Sequence, residues 1–150
     1  MALSAGLRYL ADDYCALGFT PEPTVYSLFS SAKFHLKDAD RFHFLTMRRN
    51  PDLEKGFAML KATYAKQLLT VSPIKMVLLP TLGGHLGFEP ISPQTALLAL
   101  APSSLFQLNT KQQALKHMSD LVQGVPSYRL LLGNDPNGVP DAIQGLLEGL

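Results

Sequence analysis

Arg8-Tyr9-Leu10-Ala11-Asp12-Asp13-Tyr14-Cys15-Ala16-Leu17 is an apolar run interrupted by two adjacent carboxylates. Its aromatic and aliphatic residues read as a strand. Two like charges held side by side in an apolar run cost free energy. The cost is lower at the exit of a strand, where a metal or a phosphate-bearing substrate can use the pair. Neighbouring side chains on a strand point to opposite faces, so both carboxylates meet one ligand only if the strand ends there. At such an end one carboxylate can bind Mg²⁺ while the other accepts a proton from an attacking hydroxyl, the two roles phosphoryl transfer needs. The plainer alternative is an exposed Asp-Asp at a turn.

Outward from this run, Leu3 to Leu7 reads as the tail of a helix ended by Gly6. Gly18 to Pro23 contains two prolines and a glycine and reads as a turn, and Thr24 to Phe29 resumes strand character, so the two runs form a hairpin. Ser30-Ser31 is a candidate cap for a short helix from Ala32. With Lys33 it offers hydroxyls and a cation to a phosphate at a helix N-terminus. An ordinary capping segment with a solvated lysine is the alternative.

Asp38 to Asn50 is the most polar stretch and reads as surface; Arg48-Arg49 within it is a solvated face or a contact for an anionic partner. Pro51, Asp52 and Glu54 open a helix that runs to about Leu69, with Phe57, Leu60, Tyr64 and Leu68 on its apolar face. Ile74 to Leu79 reads as a buried strand ended by Pro80 and Gly83-Gly84. Leu82 to Gly87 is glycine-rich and reads as a turn needing positive φ. It is not a Walker loop, because no Gly-Lys-Ser or Gly-Lys-Thr follows. Ser92-Pro93 caps a helix over Thr95 to Ala101, broken or kinked near Pro102. Thr110 caps Lys111 to Gln123, ended by Gly124. Tyr128 to Leu132 is a strand, Asn134 to Gly138 a turn, and Pro140 starts a last helix over Asp141 to Leu150. Strands alternating with helices after residue 50 predict an α/β fold with a layered mixed sheet and flanking helices, in one domain over residues 1–150.

The chain has 150 residues, 47% hydrophobic and 17% charged, enough for one domain with a real core. A net charge of +1 does not suggest a nucleic-acid partner. No apolar run reaches the roughly 20 residues that span a bilayer, and the start lacks a charged leader with a long apolar segment, so a cytoplasmic protein with no membrane partner is expected. The single cysteine, Cys15, reads as a small buried hydrophobe in a reducing compartment. His35, His43, His85 and His117 lack metal-ligand spacing and read as surface or turn residues.

Gly6-Leu7-Arg8-Tyr9-Leu10-Ala11-Asp12-Asp13 resembles the G-x-x-L-[AS]-D-D segment of HPr serine kinase/phosphorylase-like proteins. Val25-Tyr26-Ser27-Leu28-Phe29-Ser30-Ser31-Ala32-Lys33 is similar to the SSAK segment of the family's divergent members. Ile91 to Leu100 and Val125 to Leu130 resemble their closing region. The resemblance implies a P-loop fold of the phosphoenolpyruvate-carboxykinase-like type. It further implies ATP as phosphoryl donor, Mg²⁺, and a serine on a peptide or small protein as acceptor. Separately from the resemblance, a homo-oligomer is an open expectation. By position Asp12 and Asp13 match the family's catalytic acidic pair, Asp13 also as metal ligand, and Lys33 matches a recurrent position on the cofactor side. The family's G-x-x-G-x-G-K-[ST] loop is expected just before Met1. The 150 residues therefore read as the C-terminal portion of such a kinase, N-terminally incomplete and binding Mg-ATP weakly or not at all. The rival expectation is a non-catalytic α/β binding module accessory to a biosynthetic enzyme.

Overall fold

The computed structural model describes residues 3, 5–42, 45, 47–49, 54–104 and 111–149. They form a mixed α/β protein with three small sheets and four helices. The chain divides into two compact units, residues 2–18 with 24–72 and residues 19–23 with 73–150.

In the first unit, β1 (Cys15–Gly18) and β2 (Thr24–Ser27) make the expected antiparallel hairpin, with Cys15 opposite Ser27 and Gly18 opposite Thr24. A short strand β6 (Val71–Pro73) continues that sheet beyond β2. The second sheet is built from β3 (Ser31–His35), β4 (Met47–Arg49) and β5 (Lys55–Met59), with β5 central and both neighbours antiparallel to it. A 3-10 turn over Leu36–Phe42 follows β3. Alternation explains this sheet. Ala32 and Phe34 of β3 face Ala58 and Gly56 of β5 and turn inward, while Lys33 and His35 are exposed. The inner face carries the core of Phe34, Ala39, Ala58 and Leu60, with Tyr9, Leu36, Tyr64 and Leu68 packed on it.

The second unit has the strand order β7 (Val77–Thr81), β9 (Ser127–Leu132), β8 (Leu86–Pro90). β9 is parallel to β7 and antiparallel to β8. A parallel pair requires a long crossover, and α2 (Pro93–Ser104) and α3 (Lys111–Gly124) lie within it. Its buried residues Ala96, Met118, Leu121, Val122 and Leu130 come from α2, α3 and β9. Thr95 N–H donates to the Ser92 hydroxyl at 3.2 Å, the expected cap. Glu89 and Arg129, opposite each other on β8 and β9, form an ion pair at 3.0 Å. The last helix, α4 (Val139–Glu148), has Pro140 buried in its first turn.

Several expectations are corrected. The helix expected from Pro51 to Leu69 is, over its described residues 54–69, a strand (β5) followed by one helical turn, α1 (Lys61–Tyr64), and a 3-10 turn over Ala65–Gln67. Its apparent apolar stripe is split. Leu60, Tyr64 and Leu68 pack in the core, whereas Phe57 lies opposite Lys33 on the outer face of the sheet. Ser30-Ser31 does not cap a helix, since Ser31 begins β3. The expected helix tail is not formed at Leu3, Ala5 and Gly6, which lie in a turn with Gly6 N–H donating to Leu3 C=O at 3.1 Å and Gly6 at φ +88°. The strand expected from Arg8 begins only at Cys15, and the one expected at Ile74 begins at Val77 and runs through Pro80. Gly83 and Gly84 turn without positive φ; among the described residues only Gly6 and Gly133 adopt it. α2 carries Pro102 inside it and continues to Ser104. Cys15 is exposed rather than buried, and Ala39 in the polar stretch is core. His43, Asn50, Pro51, Asp52 and Thr110 lie outside the described residues.

Candidate functional site

Asp12 and Asp13 sit in a bend just ahead of β1, not at the exit of a strand. The bend lets two neighbouring side chains reach one residue. The Lys33 backbone N–H donates to Asp12 Oδ2 at 2.7 Å, and the Lys33 ammonium donates to Asp13 Oδ2 at 3.1 Å. Both carboxylates and Lys33 therefore meet, although 20 residues separate Asp13 from Lys33. β3 is an edge strand of its sheet, so the N–H of Lys33 on the open side is satisfied by a carboxylate instead of by another strand. The Tyr9 hydroxyl donates to the Ser31 carbonyl at 3.0 Å along the same edge. On its other side Tyr9 exchanges backbone bonds with residues 67–69, its N–H to Gln67 at 2.9 Å and its C=O from Leu69 at 2.8 Å. The acidic bend is thus anchored on both flanks.

The Asp12, Asp13 and Lys33 side chains line a cleft of about 270 Å³. Ser31 and Phe57 share its floor, because Ser31, Lys33 and the facing Phe57 lie on the outer face of the β3–β5 pair. Tyr14 and Phe29 complete it, and they are 46% and 61% exposed. The Lys33 ammonium lies 5.4 Å from the centroid of the Tyr14 ring.

The electrostatics follow from this packing. Its hydrogen bond to Asp13 is the main cause holding the Lys33 ammonium above the ordinary lysine value, so it stays charged. The Tyr9 phenol is pushed up to about 12, first by burial and then by the charges of Asp12 and Asp13. It remains a neutral donor to Ser31. Cys15 is exposed as a residue, but the partial desolvation of its thiol by neighbouring atoms raises its pKa, which keeps it protonated near neutral pH.

All three candidate residues, Asp12, Asp13 and Lys33, are brought together. The aromatic residues Tyr14, Phe29 and Phe57 and the anchor Tyr9 are not read from the sequence as site residues; by its spacing Phe57 falls on the apolar face of a helix. The signal that marks Phe57 is the two-residue alternation of Lys55 to Met59, which competes with a helical spacing. His117 stacks on Phe19 with ring centroids 4.5 Å apart, and His35 and His85 are exposed. Among the described residues no group of three or more His, Cys, Asp or Glu side chains is placed to hold a metal ion, and no helix is long and apolar enough to cross a membrane.

No protein-family model, no curated protein and no solved structure matches the chain.

Proposed function

We propose that this cleft is the acidic part of a phosphoryl-transfer site, in a chain of the HPr-kinase-like serine kinase type with a P-loop fold of the phosphoenolpyruvate-carboxykinase-like kind. The observation that supports the reading is the meeting of Asp12 and Asp13 with Lys33 in one cleft. In this reading Asp12, fixed through one oxygen by the Lys33 N–H, accepts the proton of the acceptor serine hydroxyl. Asp13 would hold Mg²⁺, and Lys33 limits the repulsion between the two carboxylates. A set of one or two carboxylates suits Mg²⁺, which keeps several waters and shares substrate phosphate oxygens. When bound, the ion would neutralise charge on the transferring phosphoryl group. ATP is the donor in this reading, and its phosphates require a loop of the Gly-Lys-Ser or Gly-Lys-Thr type, a sequence absent from the 150 residues.

The test is phosphoryl transfer from labelled ATP to serine peptides, using the protein translated with its upstream in-frame codons. Asp13→Asn should abolish transfer and leave the circular dichroism spectrum intact. Turnover equal to the parent protein refutes the reading.

One observation favours the rival, a non-catalytic binding module. Ser31 belongs to a strand, so Ser30-Ser31-Ala32-Lys33 presents no helix N-terminus to a phosphate. A stop codon directly upstream of Met1 would favour the module, and an in-frame Gly-Lys-Ser or Gly-Lys-Thr run the kinase.

A further inference from the structure

We infer that the outer face of the β3–β5–β4 sheet binds single-stranded nucleic acid, with a base stacked on Phe57 and phosphates held by Arg48 and Lys55. Strand register is the first argument. β5 is central, and Phe57 stands opposite Lys33 of β3 on one side and opposite Arg48 of β4 on the other. Met47, one residue before Arg48, packs on the core, so alternation sends Arg48 outward with Phe57. Lys55, two residues before Phe57, shares that face, with His35 opposite it. The row across the sheet is therefore cation, aromatic ring, cation, with a further cation one step along β5. Lys33, His35, Arg48 and Lys55 are exposed and Phe57 is half-buried. The net charge of +1 for the whole chain averages over this local arrangement.

Charge pairing is the second. Lys33 is tied to Asp13 at 3.1 Å, whereas Arg48 and Lys55 have no ion-pair partner among the described residues. Asp12 and Asp13 border the face at β3, and Arg48 lies across Phe57 from them. A polyanion is thus guided over β5 and β4, away from the carboxylates. The nature of the central residue decides what kind of polyanion. An acidic peptide satisfies Arg48 and Lys55 but brings no flat partner to Phe57, and every nucleobase has one. The face is an open sheet surface, which suits an extended strand with a charge on each unit. Stacking and phosphate contacts read no sequence, so little base preference is expected.

The experiment follows the fluorescence anisotropy of a dye-labelled short oligothymidine titrated with the full chain, across a salt series. An abasic strand of the same length and an oligoglutamate peptide are run beside it. Oligothymidine should bind about tenfold more tightly than the abasic strand. Phe57→Leu keeps an apolar residue in β5 and should weaken oligothymidine about tenfold, with the abasic strand unchanged. Arg48→Gln and Lys55→Gln should each weaken both strands about threefold and lower the salt slope by about 0.7. Both residues are exposed, so these variants report on binding even if Phe57→Leu does not fold. Lys116→Gln, on α3 beside Asp120, should change nothing. No binding of oligothymidine, equal affinity for the two strands, or a loss in Lys116→Gln equal to that in Arg48→Gln overturns the inference. Tighter binding of oligoglutamate than of oligothymidine overturns it too, and makes the face a dock for acidic peptides.

Discussion

Gly56 lies under the ring of Phe34, its cross-strand partner on β5 and β3. A β-carbon added at Gly56 would sit 2.5 Å from Cζ of that ring and 3.0 and 3.1 Å from its two Cε atoms. Carbon atoms in good contact sit about 3.5–4.0 Å apart, so in Gly56→Ala the ring must retreat by about 1 Å. It has nowhere to go, because Phe34 is only 9% exposed and clusters with Ala39, Ala58 and Leu60. Overpacking of this kind costs about 1–3 kcal/mol. Replacing glycine in a strand returns about 0.5–1 kcal/mol of backbone entropy, so the net loss is about 1–2 kcal/mol. With a urea slope of about 2 kcal/mol/M, the midpoint should fall by about 0.5–1 M with the slope unchanged. Circular dichroism across a urea series measures it. Gly145→Ala on α4 meets nothing within 4 Å and should instead stabilise by about 0.5–1 kcal/mol. Phe34→Leu in the Gly56→Ala background should cost less than the sum of the single changes. A Gly56→Ala midpoint at or above the parent would mean that the ring does not lie on Gly56. The β3–β5 register that puts Lys33 opposite Phe57 would then be wrong, and the floor of the cleft with it.

Gly133 has φ +63° and its β-carbon would meet the Leu86 backbone nitrogen at 2.9 Å, so Gly133→Ala should cost about 2–3 kcal/mol; Gly6, at φ +88° with nothing within 4 Å, should lose only about 1 kcal/mol as Ala, and thermal unfolding of the two variants reads the difference. The Tyr9 phenol titrates near 10 when unfolded and is pushed up to about 12 in the fold, so the folded state holds its proton more tightly. The stability from this group is fully present below pH 10 and is lost as pH rises through 12. Phenolate absorbance of the parent minus that of Tyr9→Phe should show a midpoint near 12, and a midpoint at 10 contradicts the burial of Tyr9. Leu60 is 2% exposed, and Leu60→Ala should cost about 2–5 kcal/mol in a denaturation midpoint.

Local chemistry was legible wherever a segment settles its own conformation. Ser92 as a cap, Pro140 in a first turn, the hairpin around Gly18 to Pro23 and the strand ending at Leu132 all depend on nearby residues. The segment 55–68 was not legible, because its conformation is decided by partners far away in the chain. Phe57, Leu60, Tyr64 and Leu68 carry a helical spacing by sequence, yet pairing of Lys55–Met59 with Ser31–His35 divides them between the core and the cleft. Ser30-Ser31 misled for the same reason: a capping signal is local, and the Ala32–Phe34 alternation that overrides it gains its energy from β5. In the candidate site the acidic pair and Lys33 were legible as residues. Their contact was not, since it depends on β3 being an edge strand that leaves one N–H for Asp12. The aromatic walls were hidden because Phe29 and Phe57 look in sequence like ordinary strand and helix filling.

The bond between Asp12 and position 33 is made to a main-chain atom, whereas the bond from Asp13 is made to a side chain. The two halves of the acidic pair therefore tolerate sequence drift very differently. Nineteen residue types at position 33 present the same N–H to Asp12, and proline alone deletes it. A saturation library should find position 33 permissive for folding and position 12 restricted to residues with a short oxygen acceptor. Evolution can thus exchange the charge in the cleft without rebuilding the bend that carries it.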